Sequence, residues 1–270
     1  MNIFFAFFKS LGVALCFWCL IACPSLWAAQ PGQLQRIASA RPDAQIPVFF
    51  SATPNAVATL ILLPGGAGGM GRIGAEGWPD GANFLVRSAQ MFAAQGFNVA
   101  VMARPSDMTD MDYPFRISSA HIDDIRKVAQ QAKERWNVPV WLVGTSRGTV
   151  SGTAAVIAMR DEGLIAGLVL TASVTAGRVT GAVPGQALEK ITIPVLVVHH
   201  AQDACKICVP SQAKTIEPKL SASPAHATLI LDGGENPSGD PCEALHYHGF
   251  IGMEAQAVQQ IANWVKARKP

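Results

Sequence analysis

The sequence predicts an α/β fold, an open and mostly parallel sheet with helices on both faces. Three observations predict it. Seven short apolar runs (residues 47–51, 59–63, 98–103, 138–143, 164–171, 194–199 and 227–231) alternate with five helical patterns (84–95, 119–136, 147–160, 211–220 and 253–269). Several of the runs are unbroken Val, Ile and Leu, as expected where a parallel strand is covered on both faces. No repeat, low-complexity tract or break in composition interrupts the chain between Gln30 and Pro270, so residues 29–270 read as one domain after a leader.

Taken in order, the leader comes first. Residues 1–28 carry a lone Lys9 in an apolar stretch that reaches Ala22, then small residues and the polar QPGQLQR. This pattern predicts an export signal cleaved after Ala28, because the run after Lys9 falls short of the roughly 20 residues a spanning helix needs. The string LIAC also resembles a bacterial lipobox, in which Cys23 would be lipidated and would tie the chain to a membrane. Either route predicts an exported protein, periplasmic or secreted, in a compartment that permits disulfides. Of six cysteines, Cys205, Cys208 and Cys242 then remain, an odd number that allows one bridge at most and leaves a thiol over. The CxxC spacing of Cys205 and Cys208 fits a redox or zinc motif, but no second CxxC follows it.

A net charge of +2 with no Lys/Arg run leaves no basic face for phosphate, so nucleic acid is not an expected partner. After the run at 59–63 comes the glycine-rich PGGAGGMG, in which Gly66, Gly68 and Gly71 satisfy GxGxxG. A dinucleotide fingerprint should run directly into a helix, whereas this loop continues through RIGAEGWPDGA, and Arg104 stands where the acidic residue is expected. No cofactor is therefore expected. The helix at 119–136 opens with Ser118 or Ser119 as N-cap and with Asp123 and Asp124 in or near its first turn.

The run 138–143 and the helix 147–160 meet in GTSRG. Gly144 and Gly148 leave room for a tight strand-to-helix turn that exposes the Ser146 hydroxyl above the sheet, and the helix N-terminus brings the backbone N–H of Arg147 to the same place. The competing reading is that Ser146 merely caps the helix. A serine hydroxyl needs a base and an orienting carboxylate to act as a nucleophile. Asp203, in the loop after the run 194–199, is the preferred carboxylate, with Asp232 and Asp240 as alternatives. His248, directly before Gly249 and the last helix, is the preferred base over His246. His121, His199, His200 and His226 fit structural roles, and the adjacent pair 199/200 would point to opposite faces of a strand, so no metal site is expected. The bare backbone of the glycine loop is suited to complete an oxyanion hole opposite Arg147, with Gly66 the preferred donor and Gly65 and Ala67 next to it.

These residues resemble the α/β-hydrolase superfamily: the elbow GTSRG, the loop PGGAGG, the acid in HHAQD, the terminal HGF, and the chain order Ser, Asp, His. The resemblance covers nearly all of residues 30–270. It implies a serine hydrolase working through an acyl-enzyme, with Ser146 as nucleophile, His248 as base and acid, and Asp203 orienting it. It also implies a Cys205–Cys242 bridge that staples the acid loop to the histidine loop, with Cys208 as the competing partner. Pro64 and His200 depart from the usual pattern, which has a histidine and a glycine at those places. Only residues 172–193 stand where members carry a cap, which predicts little or no lid and an open cleft for a small-molecule or surface-exposed ester. The segment 68–83, with Met70 and Trp78, is the expected wall of the pocket. The alternatives are a catalytically silent binding protein on the same fold, and a serine peptidase or acyltransferase.

Overall fold

The computed structural model describes Met1 and residues 32–268. The expected signal and Cys23 lie outside the described residues. The chain opens with β1 (Gln33–Ala38), β2 (Gln45–Ser51) and β3 (Thr59–Leu63), followed by a two-stranded ribbon of β4 (Arg72–Ile73) and β5 (Pro79–Asp80). Next come α1 (Phe84–Arg87), α2 (Ala89–Ala94), β6 (Asn98–Met102), α3 (Tyr113–Arg116) and α4 (Ser119–Trp136). The second half runs β7 (Val140–Thr145), α5 (Arg147–Ala158), β8 (Gly167–Thr171), β9 (Val195–His200), α6 (Pro210–Ala213), β10 (His226–Leu231) and α7 (Glu254–Lys266).

Eight strands form one sheet in the order β1-β2-β6-β3-β7-β8-β9-β10. The pairings of β1 with β2 and of β2 with β6 are antiparallel, and all the others are parallel. The predicted open, mostly parallel sheet with helices on both faces is thus the observed one. Alternation along each strand divides the core in two. Leu60, Leu62, Trp141 and Val143 face α1, α2 and α7, where they meet Phe84, Phe92 and Ile261. Ile61, Leu63, Val140 and Leu142 face α4 and α5, where they meet Ile125, Val128 and Val156. Because β3, β7 and β8 are parallel and in register, Leu63 beside Gly144 and Thr145 beside Thr171, their C-terminal ends open on one edge of the sheet.

Several expected elements differ in detail. The strand β1 has no counterpart in the sequence reading. The helix expected at 84–95 is broken at Ser88, whose N–H bonds back to Phe84 and Val86 and ends α1. The helix expected at 211–220 is one turn, α6, and a separate 3₁₀ turn at Glu217–Lys219 that contains Pro218, which has no N–H to continue a helix. Ser118 is the N-cap of α4, so Asp123 and Asp124 fall in its second turn. Asp124 there accepts hydrogen bonds from the Ser39 hydroxyl (2.9 Å) and the Ala40 N–H (2.7 Å). Met70 and Trp78 are both buried, and the Trp78 ring packs on Phe49 at 5.2 Å; Trp78 also lines a cleft together with Gly74, Glu76 and Arg87. Between β8 and β9 the chain carries only 3₁₀ turns at Val183–Gly185 and Leu188–Lys190, so no cap domain is inserted between these two strands.

Candidate active site

Ser146 sits at the turn between β7 and α5 with φ 51° and ψ −125°, a conformation that residues with a side chain rarely adopt. Its backbone is held on both sides: the N–H donates to Thr171 O (3.0 Å), and the carbonyl accepts from the Thr149 hydroxyl (2.6 Å). The turn is tight because its neighbours lack side chains. A Cβ on Gly148 would stand 2.0 Å from the Leu63 carbonyl oxygen, and one on Gly144 would stand 2.5 Å from that of Gly148. The Ser146 side chain makes no capping bond to α5, and the residue is half-buried. The N–H of Arg147, in the first turn of α5, has no partner within its helix.

Asp203 and His248 meet at the same edge. Asp203 lies just past β9, and its carboxylate is satisfied at both oxygens: Oδ1 accepts from the Cys205 N–H at 2.9 Å and Oδ2 from His248 Nδ1 at 2.8 Å. Both side chains are buried, and His248 Nε2 has no hydrogen-bond partner. His246 is elsewhere, its ring edge-on to Tyr247 at 5.4 Å. Asp232 accepts from Gln202, and Asp240 accepts from the Cys242 N–H, so neither reaches a histidine. His200 Nε2 donates to Gly233 O (2.8 Å) and its ring stacks on Tyr247, while His199 Nε2 accepts the Ser173 N–H (2.6 Å). Burial holds the His199 imidazole down at about 4.

The loop after β3 crosses in front of Ser146. A Cβ on Gly65 would lie 2.8 Å from both the Ser146 Cβ and the Thr145 carbonyl oxygen, so only a glycine fits there. Gly66 follows at φ 53°, exposed, and Gly68 N–H closes the turn onto Gly65 O at 2.9 Å. Behind the loop lies Arg116, which is fully buried. Its guanidinium donates to the carbonyls of Gly66 (2.9 Å), Met111 (3.1 Å) and Pro64 (3.4 Å) and to the Ser151 hydroxyl (3.1 Å). These partners are neutral oxygens, and burial pulls the Arg116 pKa down to about 10. His121 Nε2 bonds the same Ser151 hydroxyl at 2.9 Å, and burial, with Arg116 beside it, pushes its pKa down to about 3.

The cysteines converge here too. Cys205 and Cys242 form a disulfide that ties the loop after β9 to the loop carrying His248. Cys208 is free and buried beside the Ser146 side chain, and burial, then the Asp203 charge, push its thiol pKa well up.

No protein-family model matches this sequence, and no curated protein matches it significantly. Solved structures do. An α/β serine hydrolase homologue from Coxiella burnetii is similar over 86% of this chain and 96% of its own, with a TM-score of 0.61 at 17% identity. A lidless α/β serine hydrolase from Xanthomonas campestris is similar over 87% and 97%, with a TM-score of 0.57 at 18% identity. A monoglyceride lipase from Saccharomyces cerevisiae is similar over 92% and 99%, with a TM-score of 0.62 at 10% identity.

The fold is that of the α/β hydrolases. On this α/β-hydrolase frame, the turn after β7, the loop after β9 and the loop before α7 bring Ser146, Asp203 and His248 to one edge. Sequence reading left Arg116 without a part at this edge, and brought Cys208 there only as a competing disulfide partner. One local signal pointed toward Arg116: Asp112 caps α3 ahead of Pro114, a helix-start pattern in a segment to which the sequence reading assigned no element.

Proposed function

We propose that this chain is a serine hydrolase that cleaves carboxylic esters through an acyl-enzyme. The observation that carries the reading is the His248 imidazole, bonded through Nδ1 to a buried, otherwise satisfied Asp203, with a buried Nε2 that has no partner. Asp203 fixes the tautomer with its proton on Nδ1 and leaves Nε2 as a lone-pair base. On substrate binding, Nε2 takes the Ser146 proton, and the oxygen attacks the ester carbonyl. The oxyanion is met by the Arg147 N–H and by the glycine loop, with Gly66 as donor. His248 then returns the proton to the leaving alcohol, and water repeats the sequence to release the acid.

Arg116 acts through the loop. Its bonds to the Pro64 and Gly66 carbonyls fix two peptide planes, and its buried charge adds a positive potential behind the place where negative charge develops. With no lid between β8 and β9, a small-molecule or surface-exposed ester fits the open edge. The disulfide is in keeping with an exported, periplasmic or secreted protein.

The test is the intact mass of the folded protein before and after a fluorophosphonate probe, alongside Ser146→Ala. A single adduct lost in the variant is the expected result. Absence of an adduct on folded wild-type protein would overturn the reading.

A further inference from the structure

The proposed ester cleavage calls on neither sulfur of the CxxC pair, Cys205 and Cys208, yet both sulfurs stand beside the histidine. The sulfur atoms of Cys205 and Cys208 and a ring nitrogen of His248 all lie within 4.8 Å of one another, and all three residues are buried. The surrounding side chains, Val150, Val174, Val179, Ala182 and Ile207, are apolar. His248 is already arranged as metal-binding histidines are: Nδ1 is bonded to the Asp203 carboxylate at 2.8 Å, and Nε2, with no partner, is left to face a ligand.

We propose that reduction of the Cys205–Cys242 bridge turns this centre into a Zn²⁺ site, held by the Cys205 and Cys208 thiolates and by His248 Nε2. In the bridged protein Cys205 is spent on the disulfide, which leaves one thiol and one imidazole. Reduction takes two electrons and two protons from a dithiol, which ends as its own disulfide, and yields free thiols at Cys205 and Cys242. Zn²⁺ then displaces one proton each from Cys205 and Cys208, forming two Zn–S bonds and one Zn–N bond. Cys242, released next to them, or a water fills the fourth position. Tetrahedral zinc with bonds of about 2.3 Å to sulfur and about 2.0 Å to nitrogen sets its ligand atoms somewhat under 4 Å apart. Closing to that spacing from 4.8 Å or less needs side-chain rotation in a loop no longer tied by the bridge. CxxC supplies two sulfurs from one loop, the usual spacing in zinc sites.

The consequence for catalysis rests on the hydrolase reading: with Nε2 on the metal, His248 cannot take the Ser146 proton. The bridged chain is then the active form and the reduced, zinc-loaded chain the silent one.

The experiment uses full-length protein carrying Cys16→Ser, Cys19→Ser and Cys23→Ser, so that Cys205, Cys208 and Cys242 supply the thiols; it is bridged or reduced with a phosphine and freed of reductant under argon, and titrated with Co²⁺ as a spectroscopic stand-in for zinc. This parent chain, reduced, is expected to bind about one Co²⁺ per chain with a thiolate-to-cobalt charge-transfer band in the near ultraviolet, displaced by Zn²⁺. Cys208→Ser and Cys208→Ala should each weaken Co²⁺ binding by at least about tenfold and diminish the band, Ser146→Ala should leave both unchanged, and the bridged protein should bind at least about tenfold more weakly. No band in the reduced parent chain, or Co²⁺ affinity and band intensity unchanged in both Cys208 variants, overturns the proposal. Zinc should also slow fluorophosphonate labelling of the reduced protein by at least about tenfold, and unchanged labelling at metal saturation would overturn the inhibitory role. Metal-free protein that never labels would sink the hydrolase reading instead, and the cobalt band would still decide the metal site.

Discussion

Ser146 holds φ 51° because Thr171 and Thr149 clamp its backbone, and the same strain lifts its hydroxyl clear of the helix it would otherwise cap. The chemistry proposed for it depends on one tautomer of His248. Asp203→Asn keeps the shape of the side chain but removes the charge that holds the proton on Nδ1. It is expected to lower kcat by about 10³- to 10⁴-fold with KM little changed, measured on any ester that wild type turns over. Arg116→Lys keeps a buried cation but cannot span both the Pro64 and Gly66 carbonyls. Its expected effect is a kcat lower by about 10²-fold at constant KM, and an equal loss in KM alone would show that Arg116 does not position the loop. That Ser146, Asp203 and His248 meet at one edge was legible because the first two follow strongly patterned strands and the third precedes a strongly patterned helix. Arg116 and Cys208 were not, because what matters about them is long-range: Arg116 reaches residues 35 to 52 positions away, and Cys208 meets Ser146 only when two loops converge.

The elements make this edge rigid by fitting backbone against backbone. At Gly148, the first turn of α5 lies on the end of β3, and β3 is paired on both sides, so it cannot retreat from an added methyl. Gly148→Ala is therefore expected to cost about 1–3 kcal/mol in urea unfolding and to lower activity by displacing the turn. The disulfide staples the acid and histidine loops across 37 residues, and loop-closure entropy for that length puts the loss in the Cys205→Ala/Cys242→Ala variant at about 4 kcal/mol. A change under about 1 kcal/mol would mean that packing alone holds the two loops together. At this scale the strands that line the site could be read because they are buried on both faces and so are uniformly apolar. The edge strand β1, QLQRIA, buries only Ile37 and has neither an apolar run nor a clean alternation to reveal it. The break at Ser88 is likewise invisible to periodicity, since apolar side chains continue on the same face through Phe92.

Across the whole molecule, two buried histidines, both on the face of the sheet that packs α4 and α5, link stability to pH. His121 is buried between α4 and α5 with the Arg116 charge beside it, and His199 is buried at the end of β9, accepting the Ser173 N–H. Burial lowers both, to about 3 and about 4, from an ordinary value of 6.5. Between pH 6.5 and 5 the unfolded chain therefore binds protons that the folded chain refuses, so unfolding takes up protons and stability falls as pH falls. Above pH 6.5 both states are neutral at these sites and the effect vanishes. Each histidine contributes a slope that approaches about 1.4 kcal/mol per pH unit, or roughly 2 kcal/mol lost by pH 5. In His199→Gln the amide oxygen can still accept the Ser173 N–H but no longer titrates. Urea unfolding at pH 8, 6 and 5 should show this variant losing about half as much stability on acidification as wild type, and the double variant with His121→Gln losing less again. If His199→Gln follows the wild-type curve in parallel, the imidazole at 199 is protonated as readily in the folded chain as in the unfolded one, and the acid sensitivity must come from elsewhere.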